Sequence, residues 1–301
     1  MGRRQTGGTH NTSGGAVKPD LIFDVGLHLG EDSEFYLKKG FRVVAVEANP
    51  ANAAAAARRL QSYVDAGELT IVNKAIARQD GPVQFFVSDL SVWGTTDARW
   101  AERNRRLGSS IREISVPGIS FSSLLKQYGV PYYLKIDIEG ADRLCLEALL
   151  DSDDRPRFVS MESSKTSFED LVQELRLLQR LGYRKFKVVP QHRVEEQRLP
   201  NPPREGKFVE HVFEAGSSGA FGRELPGEWL SIEQALDVHR RLFKKYRMFG
   251  DSGVVSSIVR ESGLASRVRA VAREILPRRL LRKLKSRVDP GWYDTHAMRT
   301  D

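Results

Sequence analysis

Leu21-Ile22-Phe23-Asp24-Val25-Gly26-Leu27-His28-Leu29-Gly30-Glu31-Asp32 decides the fold. An apolar run of strand length ends at a glycine, and a helix-forming stretch follows over 31–39. Phe41-Arg42-Val43-Val44-Ala45-Val46 is a second buried strand, so the unit reads β-α-β with a parallel pair. The alternation continues with a helix over 51–63, opened by Asn49-Pro50, and strands over 69–72 and 83–87. A helix over 121–128, a strand over 132–138, a helix over 141–150 and a strand over 158–161 come next. Leu171, Leu175 and Leu178 form one stripe of an amphipathic helix over 168–181, and strands over 184–189 and 208–213 close the series. About seven strands alternating with helices predict a doubly wound α/β sheet whose ligands sit beyond the carboxyl ends of the strands.

Composition sets the outer limits. The 301 residues are 40% hydrophobic and 29% charged, enough for a sizeable core and unlike a disordered chain. Eighteen apolar residues in a row occur nowhere, and the stretch 1–18 reads as a flexible tail without the apolar segment of a secretion signal. Cys145 is the lone cysteine, which excludes an internal disulfide and a cysteine-based zinc cage and makes the cytoplasm the expected location. The net charge is +8, and 267–287 alone carries nine basic residues against Glu274. The rest of the protein is therefore neutral, without the broad positive footprint of a nucleic-acid binder.

The turn after the first strand has the spacing Gly26-x-x-x-Gly30, with His28 where a dinucleotide pyrophosphate needs a second glycine. Gly26 allows a tight turn and a close ligand, and the helix that follows offers unpaired N–H donors. Asp24 at the strand end would repel a diphosphate but could hold the ammonium of an amino-acid-like ligand. S-adenosylmethionine has that ammonium, a carboxylate for the helix start and no phosphate. Glu47, ending the second strand in Val-Glu-Ala-Asn-Pro, can accept both ribose hydroxyls, while a capping role for Glu47 or Asn49 is the alternative. Tyr132-Tyr133-Leu134-Lys135-Ile136-Asp137-Ile138-Glu139-Gly140-Ala141-Asp142 puts Lys135, Asp137 and Glu139 on one face of a central strand. Such charges either pair with one another or face a solvated cleft.

Asp-Val-Gly-x-x-x-Gly, Val-Glu-Ala-Asn-Pro and Leu-Lys-Ile-Asp-Ile-Glu-Gly-Ala-Asp together resemble the FkbM-type family of S-adenosylmethionine-dependent methyltransferases, over roughly residues 21–189. The resemblance implies the class I methyltransferase fold and O-methylation of sugars or other hydroxylated metabolites. It further implies cofactor contacts at Asp24, Gly26 and Glu47, with Asp137 and Glu139 lining the reaction cleft. The turn departs from the family in carrying Leu27-His28 where Ala-Asn is common.

Methyl transfer to a hydroxyl needs in-line alignment and a base. His28, Asp137, Glu139 and Glu162 are the candidates, with Glu139 or Asp137 preferred and Glu162, at the end of the next strand, after them. Gly30, Asn49 and Asp137 complete the expected cofactor set. No ligand spacing compels a metal, and none is assigned. The expected organisation is a tail over 1–18, a methyltransferase domain over 19–215, a glycine-rich lid and helix over 216–249, and a basic amphipathic tail over 250–301. In that tail, 266–288 either lies on an anionic membrane at its inner face or packs on the body or a second subunit as a homo-oligomer contact. The expected acceptor is a small molecule or glycan; a nucleic-acid methyltransferase and a non-catalytic binding module are the competing readings.

Overall fold

The computed structural model describes residues 16–88, 94–106, 108–138, 140–164, 167–249 and 291–300. Strand β1 (Lys18–Val25) pairs in parallel with β2 (Arg42–Val46) on one side and β7 (Pro131–Ile136) on the other. Outside them lie β3 (Leu69–Val72), β8 (Phe158–Glu162), β9 (Tyr183–Pro190) and β10 (Tyr293–Arg299), in the order β3-β2-β1-β7-β8-β10-β9. Six strands are parallel and β10 runs antiparallel to both neighbours. The chain reverses its direction of winding between β1 and β7. That switch point is where a doubly wound sheet opens its ligand crevice.

The period of two along each strand divides the core. Leu21, Phe23 and Val25 face one layer, with α5 (Phe121–Tyr128), α6 (Asp142–Ala148), α7 (Phe168–Arg180) and α8 (Ile232–Phe249). Ile22 faces the other, shared with α1 (Glu31–Lys38), α2 (Pro50–Arg59) and side chains from 194–225. Asp24 shares the face of Ile22, and Lys135 lies beside it on β7. Ser231 and Gln234 start α8 with a reciprocal cap: the Ser231 N–H donates to Gln234 Oε1 at 2.8 Å and the Gln234 N–H to Ser231 Oγ at 3.2 Å. Among the described residues no helix is long and apolar enough to cross a membrane.

The structure corrects the expected organisation in four places. Residues 83–87 are a strand, but one of a small separate sheet in which β6 (Ile111–Ser120) lies between β4 (Ala75–Ala77) and β5 (Gly81–Ser88). Residues 208–213 form no strand. The seventh place in the main sheet belongs to β10, so the sheet domain extends to Arg299 and 250–301 is not all tail. Asp294, Thr295 and His296 disguise that strand as surface, yet all three are buried; Thr295 is matched by Ser163 at 2.8 Å and His239 at 3.1 Å. At the other end β1 begins at Lys18, inside the stretch expected to be tail.

The expected lid is also packed away. Ser217 to Gly222 are buried, and the Phe221 ring stacks on Tyr133 at 4.7 Å between centroids. Phe221 is a core anchor beneath the sheet, and Gly216 alone of this stretch reaches the crevice. The basic segment 266–288 lies outside the described residues.

Candidate active site

Gly26 holds the site together through what it lacks. Its φ is +99°, and a Cβ there would stand 1.9 Å from the carbonyl oxygen of Asp137. The end of β7 therefore presses against the β1–α1 turn, and only glycine tolerates both the approach and the backbone angle. The N–H groups of Gly26 and Leu27 both donate to Val46 O, at 2.9 and 3.0 Å, which ties the turn to the end of β2. His28 follows with a φ of 52° and points its own N–H at Glu47 Oε2, 2.8 Å away. Glu47 Oε1 accepts from the Asn49 N–H, also at 2.8 Å. Burial raises the Glu47 carboxyl against the pull of these two N–H groups. Asn49 caps α2, its Oδ1 accepting from the Ala51 N–H at 3.0 Å. Glu47 and Asn49 organise the backbone of this corner, the capping role foreseen for it, and both side chains also line the cleft.

Lys135 is the electrostatic centre. Its buried ammonium donates to Gly26 O at 2.8 Å and lies 3.1 Å from Asp24, 3.6 Å from Asp32 and 3.9 Å from Asp137. Burial opposes its charge, but the three carboxylates, Asp24 first, overcome that and hold the lysine well above its usual range. Asp32 is pushed up to about 6, by burial foremost, while Lys135 and the Ser218 N–H, 2.8 Å from its Oδ1, pull the other way. Asp137 differs from the others in exposure: 43% of its side chain is accessible. Asp142 closes the turn after β7, accepting from Ile138 N at 3.3 Å and Gly140 N at 3.2 Å.

These groups wall an open cleft with about 850 Å³ between its sides, solvent at the mouth included. Gly26, His28, Glu47, Asn49 and Asp137 line it as expected from sequence. Asp24 does not. With no exposed surface it accepts from Ser33 Oγ at 2.6 Å and pairs with Lys135, so the ammonium it holds belongs to the protein. Gly30 is likewise a packing residue, where a Cβ would meet Leu60 at 2.8 Å. Glu162 ends β8 opposite Asp294 of β10 and is not among the described lining residues. Glu139 lies outside the described residues. His28 lines the cleft with Nδ1 3.4 Å from Glu31, a contact that raises its pKa and favours the protonated ring over a free base.

Asp32, Asn52, Lys74 and the apolar Ala75, Ile76 and Phe85 line the cleft without having been expected there. Asp32 carried a signal, being an acid in the first turn of the helix that opens the site. Phe85 and Ala75 carried none, since their small sheet is invisible to local periodicity. Asp294 was hidden with its strand; burial, then the charges of Asp137 and Glu162, drive its carboxyl well above the usual range.

The family model for the methyltransferase FkbM domain matches residues 24–185, more than half of the chain. The protein belongs to the FkbM methyltransferase family. The cofactor of that family is S-adenosylmethionine, and the main sheet of this chain is seven-stranded and mixed. Among solved structures, an FkbM methyltransferase from Methylobacillus flagellatus is similar at 16% identity and a TM-score of 0.38, covering 62% of this chain and 42% of its own. A putative rRNA methylase from Clostridium thermocellum shares 12% identity over 57% of this chain and 77% of its own, with a TM-score of 0.32. Phosphoethanolamine N-methyltransferase 2 of Haemonchus contortus, in complex with S-adenosyl-L-methionine, shares 10% over 96% and 50%, at 0.35. No curated protein matches the chain.

The family cofactor fits the residues present. In the cleft lining, four carboxylates against two lysines suit a ligand bearing a sulfonium and an ammonium. With the cofactor bound, Glu47 would be the acceptor for ribose hydroxyls, and Ala75, Ile76 and Phe85 would supply an apolar wall for the adenine.

Proposed function

We propose that this methyltransferase transfers the methyl group to a hydroxyl of a small molecule or glycan, with Asp137 receiving the proton. The observation that carries the reading is the position of Asp137: it borders the cleft, is 43% exposed, and stands 3.9 Å from the Lys135 ammonium. A bound cofactor supplies an electrophilic methyl group. Lys135, pinned by Asp24 and Asp32, stands 3.9 Å from the Asp137 carboxylate and orients it. A carboxylate needs only to accept the proton as the oxygen–carbon bond forms, because the alcohol becomes acidic in the transition state. His28 is paired with Glu31, which argues against it as the base. Glu139 is the alternative base, two residues further on.

Incubation of the full chain with labelled S-adenosylmethionine and a panel of sugars, glycosides and hydroxylated metabolites tests the proposal. Label recovered in a base-stable methyl ether supports it. Label recovered on nitrogen, or on RNA in preference to every small hydroxyl compound, contradicts it.

A further inference from the structure

A second hollow adjoins the cofactor cleft and shares Thr96 and Ala141 with it. Its walls are the first turn of α4 (Ala98–Arg106) and the first turns of α6. Trp100 anchors the first wall: a Cβ on Gly140 would come within 2.5 Å of its ring, so α4 lies directly on the turn that carries the site from β7 to α6.

The two hollows differ in charge. In the cofactor cleft Glu31, Asp32, Glu47 and Asp137 outnumber Lys74 and Lys135. In the outer groove Arg78, Arg99 and Arg143 outnumber Asp97 and Glu147. Arg78 is 82% exposed, and its ion pair among the described residues is a long 4.0 Å contact to Glu147, a carboxylate that Arg143 already holds at 2.7 Å. Arg99 is 91% exposed and spends one edge of its fork on Asp97, its own neighbour, at 2.9 Å. The groove thus keeps guanidinium donors facing solvent beside an acidic reaction centre.

We propose that the outer groove binds an anionic group, a phosphate monoester or a carboxylate, carried by the hydroxylated acceptor. The inference rests on the methyltransferase reading and adds the charge of the substrate to it. Planar guanidinium groups suit both anions through paired N–H donors. The carboxylates around Asp137 repel an anion, so such an acceptor enters with its hydroxyl toward Asp137 and its charge outward on the arginines. An excess of a single positive charge in the lining matches one anionic group and not a polynucleotide.

Titration calorimetry on the full chain, saturated with S-adenosylhomocysteine, decides the matter with glucose 6-phosphate, glucuronate, methyl glucoside and inorganic phosphate as probes at low salt. The charged probes are expected to bind at least tenfold more tightly than methyl glucoside. Arg78→Gln combined with Arg99→Gln should lose that difference, and Arg143→Gln should lose part of it. S-adenosylhomocysteine affinity in these variants should stay that of the wild type, showing an intact fold. Equal binding of charged and neutral probes, no binding of any charged probe, unchanged binding in the double variant, or tighter binding of a single-stranded RNA oligonucleotide would each overturn the proposal. Failure of the wild type to bind S-adenosylhomocysteine would instead bring down the methyltransferase reading beneath it, and this inference with it.

Discussion

The ammonium of Lys135 lies 3.1 Å from the carboxylate of Asp24, a residue with no exposed surface. The acidic end of β1 therefore acts on the site through a lysine of the neighbouring strand. Lys135 in turn reaches Asp32 of α1 and Asp137 at the end of β7, so one buried cation ties three elements together at the switch point.

Asp24→Asn should destabilise the protein far more than it weakens cofactor binding. Removing one partner of a buried ion pair leaves the other charge undercompensated, a loss of about 3 kcal/mol or more. Urea unfolding at pH 7 measures it. An unchanged midpoint together with a large loss of S-adenosylhomocysteine affinity would return Asp24 to the role of direct ligand.

Asp32 makes stability pH-dependent in a predictable sense. Its folded pKa of about 6 lies above the ordinary carboxyl value, so the folded state binds the extra proton. The stabilisation is fully present below about pH 4 and is lost as pH rises through about 6. Asp32→Asn lacks this loss, so relative to the wild type it should gain about 2–3 kcal/mol between pH 4 and pH 7. Parallel stability curves for the two proteins would show that Asp32 titrates normally.

Glu47→Ala should weaken S-adenosylhomocysteine binding by about 1–3 kcal/mol, because it removes a charged acceptor for ribose hydroxyls. It also frees the N–H groups of His28 and Asn49, which Glu47 holds at 2.8 Å each, so the turn should lose order in amide exchange. Wild-type affinity in a folded variant contradicts the assignment.

The β-α-β start was legible because buried parallel strands are uninterrupted apolar runs, and 21–25 and 42–46 are such runs. Gly26, Glu47 and Asp137 were legible as cleft-lining positions because they sit at carboxyl ends of parallel strands, where a doubly wound sheet opens its crevice. What stayed hidden depended on distant partners. Asp294, Thr295 and His296 look solvent-exposed until Ser163, His239 and the flanking strands are in place. Asp24 looks like a ligand for an outside ammonium until Lys135, over a hundred residues away, supplies one. Phe208 and Val212 have strand-like neighbours but stand exposed at 45% and 71%, and β10 takes the place between β8 and β9 in the sheet.

The basic segment 266–288 is proposed to lie on anionic membranes, each basic residue near the surface contributing about 1 kcal/mol. Truncation before it would also delete β10 from the sheet, so charge removal within it is the cleaner probe. In flotation with anionic vesicles at low salt, the full chain should rise. A variant with Arg278, Arg279, Arg282 and Lys283 all changed to Gln should not. A wild-type chain that stays at the bottom contradicts membrane binding.

Asp137 carries the central claim, and the rate of labelled methyl transfer per folded molecule in Asp137→Asn tests it most directly. Once an acceptor hydroxyl has been found, the variant should turn over about 10²-fold or more slowly, the usual loss for a general base. Its affinity for S-adenosylhomocysteine should stay within a few-fold of the wild type. Transfer at the wild-type rate by a folded, cofactor-binding Asp137→Asn variant would contradict the account.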